Sequence, residues 1–110
     1  PVDVWTTLGQ IDNRLADALE ILQPFGLQNP EPILAARSVR LAGPARRVGM
    51  KHLRFAIADG GARREAVAFH TDETALPQGP MDVAFTLQRN AFSGGAVELN
   101  VQAVRPAGVE

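Results

Sequence analysis

The spacing of apolar residues changes period once along this chain, at a stretch that can be neither helix nor central strand. Before the change, Trp5, Leu8, Ile11, Leu15, Leu19 and Leu22 recur three or four apart, as on one face of a helix. Gly9 interrupts this stripe, and Thr6 and Thr7 weaken its first half. The helix is therefore expected within Asp12 to Leu22, capped by Asp12 or Asn13 and ended by Pro24 and Gly26. Val2 to Trp5 also reads as a strand, one belonging to a sheet in another part of a longer protein. Gln23 to Pro32 holds three prolines, a glycine and an asparagine, and is expected to be a shaped connector.

After Pro32 the period is two. Five strand candidates follow: Ile33 to Leu41, Val48 to Ala58, Arg63 to Phe69, Met81 to Arg89 and Val97 to Arg105. In the second, Leu53, Phe55 and Ile57 share one face and His52, Arg54 and Ala56 the other. In the fourth, Met81, Val83, Phe85 and Leu87 oppose Asp82, Ala84, Thr86 and Gln88. Turn signals at Gly43-Pro44, Asp59-Gly60-Gly61, Pro77 to Pro80 and Ser93-Gly94-Gly95 separate the strands, and His70 to Leu76 fits a short helix. The pattern predicts a mainly β chain: a five-stranded Greek-key barrel of the oligonucleotide-binding (OB) type, preceded by one α-helix and the Pro/Gly connector. An SH3-like barrel and a small open sandwich are the alternatives. The expected division is a lead-in over 1–32, a barrel over 33–106 and a tail over 107–110.

Composition narrows the function classes. A length of 110 residues suits one domain and leaves no room for a catalytic domain beside a binding domain. The absence of cysteine excludes a disulfide, a thiolate nucleophile and Cys-ligated zinc, and makes a cytoplasmic setting the expectation. No apolar run approaches the length of a membrane-crossing helix, so no membrane partner is expected. The opening Pro1-Val2-Asp3-Val4-Trp5 has neither an initiator Met nor the layout of a signal peptide, and reads as a cut inside a longer chain. The net charge of −1 conceals a split at Pro32. Arg14 stands against Asp3, Asp12, Asp17, Glu20 and Glu31 before it, a net −4. Residues 33–106 carry nine Arg and one Lys against six carboxylates, a net +4. An Arg-rich second part suits a polyanion, since guanidinium forks onto phosphate and stacks on bases; a solvated mixed-charge surface is the bland alternative.

The connector Pro24-Phe25-Gly26-Leu27-Gln28-Asn29-Pro30-Glu31-Pro32, placed directly after an Ala/Leu/Glu-rich helix, resembles the segment that leads into the C-terminal barrel of RecJ-family single-stranded-DNA exonucleases. The likeness runs on through Val48 to Leu53, Ala66 to Phe69, Met81 to Phe85 and Val104 to Pro106, roughly residues 12–106. Gln28 stands where many members of that family have a second glycine, and Phe92 where they often carry a tryptophan. The resemblance implies a single-stranded-DNA-binding module within a 5'-to-3' exonuclease of DNA repair and recombination. It implies manganese or magnesium for that parent enzyme and none for this chain, because the family's Asp-His-His signature is absent here. Implied partners are single-stranded DNA, the remaining catalytic domains of the parent, and further proteins that dock on it. Docking on the parent or a partner protein is itself the competing function.

The expected site is the outward face of the first three barrel strands with the loops joining strands one to two and four to five. Arg46 and Arg47 would track phosphates from the first loop, and Lys51 and Arg54 would extend the path along the second strand. Arg63, Arg64 and Arg89 complete the cationic set, and Phe92, at the tip of the last loop, would stack on a base. Phe55, Phe69 and Phe85 are expected in the core, and Phe25 as an anchor of the connector. His70-Thr71-Asp72-Glu73 is the only crowding of His with acids, too few converging ligands for a metal site. No nucleotide-cradling Gly-rich loop or nucleophile with a neighbouring base is present, so catalysis within this chain is not expected.

Overall fold

The computed structural model describes residues 2–69, 76–90 and 94–108. The alternating segments form seven strands: β1 Val4–Thr6, β2 Leu34–Leu41, β3 Arg46–Val48, β4 His52–Asp59, β5 Ala62–Phe69, β6 Met81–Asn90 and β7 Ala96–Pro106. They join in the order β1-β2-β6-β7-β5-β4-β3, and a further β2–β4 pairing at Arg40–Ala58 and Leu41–Ile57 closes the sheet on itself. The closed ring is thus β2-β4-β5-β7-β6, five strands as expected, with β5 and β7 parallel and every other ring pair antiparallel. Closure leaves the inner face of each ring strand to fill the core, where Phe55, Phe85, Leu53, Ile57, Met81 and Leu99 are fully buried.

Two strands lie outside the ring, and both correct the sequence reading. The segment expected as one strand from Val48 to Ala58 breaks at Gly49-Met50-Lys51, and the chain reverses there into the β3–β4 hairpin with Val48 opposite His52. Gly49 takes φ +67, a conformation that costs little only without a Cβ. Val2 to Trp5, read as a strand of some other sheet, contributes β1, which pairs in parallel with Leu34 to Ala36 of this one.

The helical part is shorter than its apolar stripe. The helix α1 spans Asn13–Glu20, and Asp12 caps it by accepting a 2.9 Å hydrogen bond from the Leu15 amide. Leu8 and Ile11 precede it in a 3-10 turn, Leu8–Gln10, and just after, and both are fully buried in the barrel core. Leu15 and Leu19 pack against the same cluster. A division at residue 32 therefore separates side chains that share one core. The connector folds back on itself through paired backbone bonds between Gly26 and Asn29, and Asn29 Nδ2 donates to the Leu22 and Pro24 carbonyls at 2.6 and 2.9 Å. Phe25 is half-buried and lines an open hollow together with Leu19, Pro32 and Leu87.

A bulge in β2 sets the outer surface. The pairing with β6 shifts register between Ala36 and Val39, and Ser38 adopts φ +55 there. The buried Asp82 carboxylate holds this strained residue, accepting from the Ser38 amide at 3.0 Å and from Arg105 Nε at 3.1 Å. Arg37 and Ser38 are consequently both exposed while Val39 returns to the core. The expected helix over His70 to Leu76 falls, up to residue 75, outside the described residues, and Leu76 is buried in the core.

Candidate nucleic-acid interface

The β4–β5 hairpin determines which side chains meet on the outside of the barrel. Its two-residue turn pairs Asp59 with Ala62, and that register carries through to His52 opposite Phe69. With Leu53 and Phe55 turned inward, their partners Ala68 and Ala66 face the core and Phe69 faces out. Phe69 is 41% exposed, so its placement in the core is corrected. Its ring meets His52 edge to face, with centroids 4.4 Å apart, and Val48 completes the cross-strand row. The signal for this was available: the Gly60-Gly61 turn, once taken as a two-residue hairpin loop, puts residues 67 and 69 on the outer face.

The next outer row pairs Arg46 with Arg54. Arg47, opposite the inward Leu53, lies on the other face of β3, so the two adjacent arginines diverge. Arg46, Arg47 and Lys51 are exposed, and none makes a side-chain hydrogen bond or ion pair within the described residues. Arg54 differs. Its guanidinium is paired with the buried Glu98 at 3.0 Å, and Gln88 Nε2 and Asn90 Nδ2 donate to the same carboxylate at 2.6 and 3.2 Å. Burial pushes the Glu98 carboxyl up, but the hydrogen bonds from Arg54, Gln88 and Asn90 outweigh it and hold the group below the ordinary carboxylate value. Arg46, Arg54, Glu65, Asn90 and Glu98 line an open groove of about 400 Å³ between β3 and the start of β7.

The other cations of the expected path are engaged elsewhere. Arg64 donates to the Ile11 carbonyl at 2.8 Å and ties the hairpin to the lead-in, while Arg63 lies 3.9 Å from Glu65 in an exposed pair. Arg89 reaches across to α1, where Nε donates to Glu20 at 2.6 Å, Nη2 to Asp17, and Nη1 to Asn13 and to the Gly95 carbonyl. The hydrogen bond to Glu20, against some desolvation and with the added charges of Glu20 and Asp17, raises the Arg89 pKa above its ordinary value. Phe92 and the His70 to Glu73 cluster lie outside the described residues. Among the described residues no group of three His, Asp or Glu is placed to hold a metal ion, and no helix is long and apolar enough to cross a membrane.

A five-strand Greek-key ring with a parallel third-to-fifth pairing, bearing cations and rings on the outside of its second and third strands, defines an OB-fold barrel. The chain belongs to the RecJ OB domain family, which it matches over residues 2–103. No curated protein matches the sequence. Among solved structures it is similar to a chain of the replication protein A heterotrimer bound to single-stranded DNA. The TM-score is 0.51 at 14% identity, over 69% of this chain and 58% of that one. It is also similar to an aspartyl-tRNA synthetase from Leishmania major Friedlin, with a TM-score of 0.49 at 15% identity, over 84% of this chain and 25% of that one. This chain thus spans little more than half of the replication protein chain and a quarter of the synthetase.

Proposed function

We propose that this domain binds single-stranded DNA on the outer face of β3, β4 and β5, as the module that guides the strand in a RecJ-like 5'-to-3' exonuclease of DNA repair and recombination. The observation that carries the reading is the outer row of the β3–β4–β5 sheet: Arg46, and Lys51 in the adjoining turn, form no ion pair among the described residues and stand beside the exposed His52–Phe69 ring pair. Free cations supply a sequence-independent attraction to phosphate, and exposed rings supply a surface on which any base can stack. Arg47 adds charge from the other side of β3. Arg54, neutralised by Glu98, shapes the groove rather than neutralising a phosphate. Hydrolysis, with the manganese or magnesium it would use, belongs in this reading to the rest of the parent enzyme.

The test is fluorescence anisotropy of a labelled single-stranded oligonucleotide at increasing salt. Affinity should fall steeply, with a slope of roughly 0.7 per phosphate contact, and with little dependence on base composition. An affinity unaffected by salt, or no binding at low salt, would falsify the reading. A second reading, docking of a protein on the lead-in, is favoured by the exposed Ile21, Leu22 and Leu27 next to the acidic helix. It predicts that DNA affinity is unchanged by substitution of Arg46 and Phe69.

A further inference from the structure

Trp5 is the only tryptophan of the chain, yet it is 42% exposed on β1 and has no part in the core or in the groove described above. The Arg37 guanidinium lies over its ring, 3.8 Å from the centroid, where the bulge at Ser38 turns Arg37 outward. Stacking of this kind presents a flat, cationic, partly apolar platform. Beside it is an open groove of about 290 Å³ whose walls are Thr6, Thr7, Gln10 and Asp59 as well as Trp5 and Arg37. Gln10 Oε1 accepts from Thr6 Oγ1 and the Thr7 amide at 2.9 and 3.2 Å, so the Gln10 Nε2 donors and the Asp59 carboxylate are left to meet the edge of a base, and that carboxylate disfavours a phosphate at that depth.

The platform and the proposed site lie on the same outer face of the barrel. Arg54 sits opposite Arg46, Ala56 and Ala58 follow on the same face of β4, and Ala58 pairs with Arg40 of β2. Four residues of strand put Ala58, the partner of Arg40, about 13 Å from Arg54. Arg40 is exposed and its side chain makes no hydrogen bond or ion pair within the described residues, so it can meet a phosphate between the two places. We infer that the Trp5–Arg37 pair is a second base-stacking site, which takes an unpaired nucleotide of a strand already held on β3–β5 and passing over Arg40. The inference rests on the single-strand binding proposed above and adds a direction to it: the strand leaves the groove across β4 and β2 towards β1.

The lone indole makes the test direct. The 110-residue chain is titrated with labelled single strands of about 4 and about 16 thymidines, the two ends of the length range held by barrels of this class. Anisotropy reads binding, and indole fluorescence reads contact at Trp5. Both strands should bind, but only the long one should quench the indole. Trp5→Leu should weaken the long strand about tenfold and leave the short one unchanged. Arg37→Ala, which removes no core side chain, should weaken the long strand in the same selective way and guards against misfolding of the Trp5 variant. Tight binding of the long strand with unaltered indole fluorescence and unaltered affinity in both variants would overturn the second site while leaving the first. Failure of both strands to bind would overturn both.

Discussion

The outer face of β3–β5 and the junction between α1 and β6 each carry arginine, but only one of them leaves it free. On the face, Arg46 and Arg47 form no ion pair among the described residues; at the junction, Arg89 is surrounded by Asp17, Glu20 and Asn13. The difference follows from the charge split of the chain. The acidic lead-in packs back onto the barrel near the end of β6, where it neutralises part of the cationic excess, and leaves the far hairpin positive. Arg54 is an intermediate case, bound to the buried Glu98 from within the barrel wall. Membership of a basic cluster in sequence therefore says little about whether a side chain can meet a phosphate. What decides is whether the fold brings a carboxylate to it first.

Four substitutions distinguish side chains that the fold leaves free from those it neutralises. The largest effect is expected at Glu98. Glu98→Ala leaves Arg54, Gln88 and Asn90 without their shared acceptor, and should cost about 2 kcal/mol of stability in urea unfolding, a figure reduced for the partial solvent access of Arg54. Because the folded-state pKa of Glu98 lies below its ordinary value of 4.5, its contribution is complete above that pH and is lost as pH falls through the folded value. Glu98→Gln should lack this component, so its unfolding midpoint should fall less than that of the parent protein on acidification below about pH 4.5. Equal acid sensitivity of the two proteins would remove Glu98 from the account.

Phe69→Ala comes next. Loss of a stacking surface should weaken single-strand binding by about 1–2 kcal/mol with the salt slope unchanged, and an exposed ring should be removable without loss of the fold. If urea unfolding instead shows a cost of the size typical for a core Phe, about 3 kcal/mol or more, the ring belongs to the scaffold after all. Replacing Arg46 and Arg47 together by Ala should weaken binding at physiological salt by about 1 kcal/mol, reduce the salt slope by about 1.4, and leave the unfolding midpoint in place. The smallest effect on DNA is expected from Arg89→Ala. It should lower the melting temperature, more so at low salt, and leave the salt slope of binding as it was. A reduced slope would mean that Arg89 is released from α1 when DNA arrives.

Periodicity alone made the barrel legible. Alternation in β4 and β6 located the inward residues Leu53, Phe55, Ile57, Met81, Val83 and Phe85, because a strand with one buried face must place apolar side chains at every second position. The connector, with Phe25 and Asn29, likewise showed its role in its composition. Two other features depended on pairings that the period of the chain does not show. Val48 to Ala58 reads as continuous strand, and only the return pairing of Arg46 to Val48 on β4 shows it to be a hairpin. Leu8 and Ile11 read as a helical stripe, yet their burial depends on β4 and β5 lying beneath them.

The site divides in the same way. Which residues are cationic or aromatic is a property of the chain, and so is the charge split at Pro32 that makes the second part suited to a polyanion. Which of them are available was decided by tertiary structure: Glu98 reaches Arg54 from β7, Asp17 and Glu20 reach Arg89 from α1, and the Ile11 carbonyl takes Arg64. His52 and Phe69, seventeen residues apart, became a ring pair only through the hairpin register. Side-chain identity and local period are properties of neighbouring residues. Ion pairing and exposure depend instead on distances between segments, which exist only once the barrel has closed.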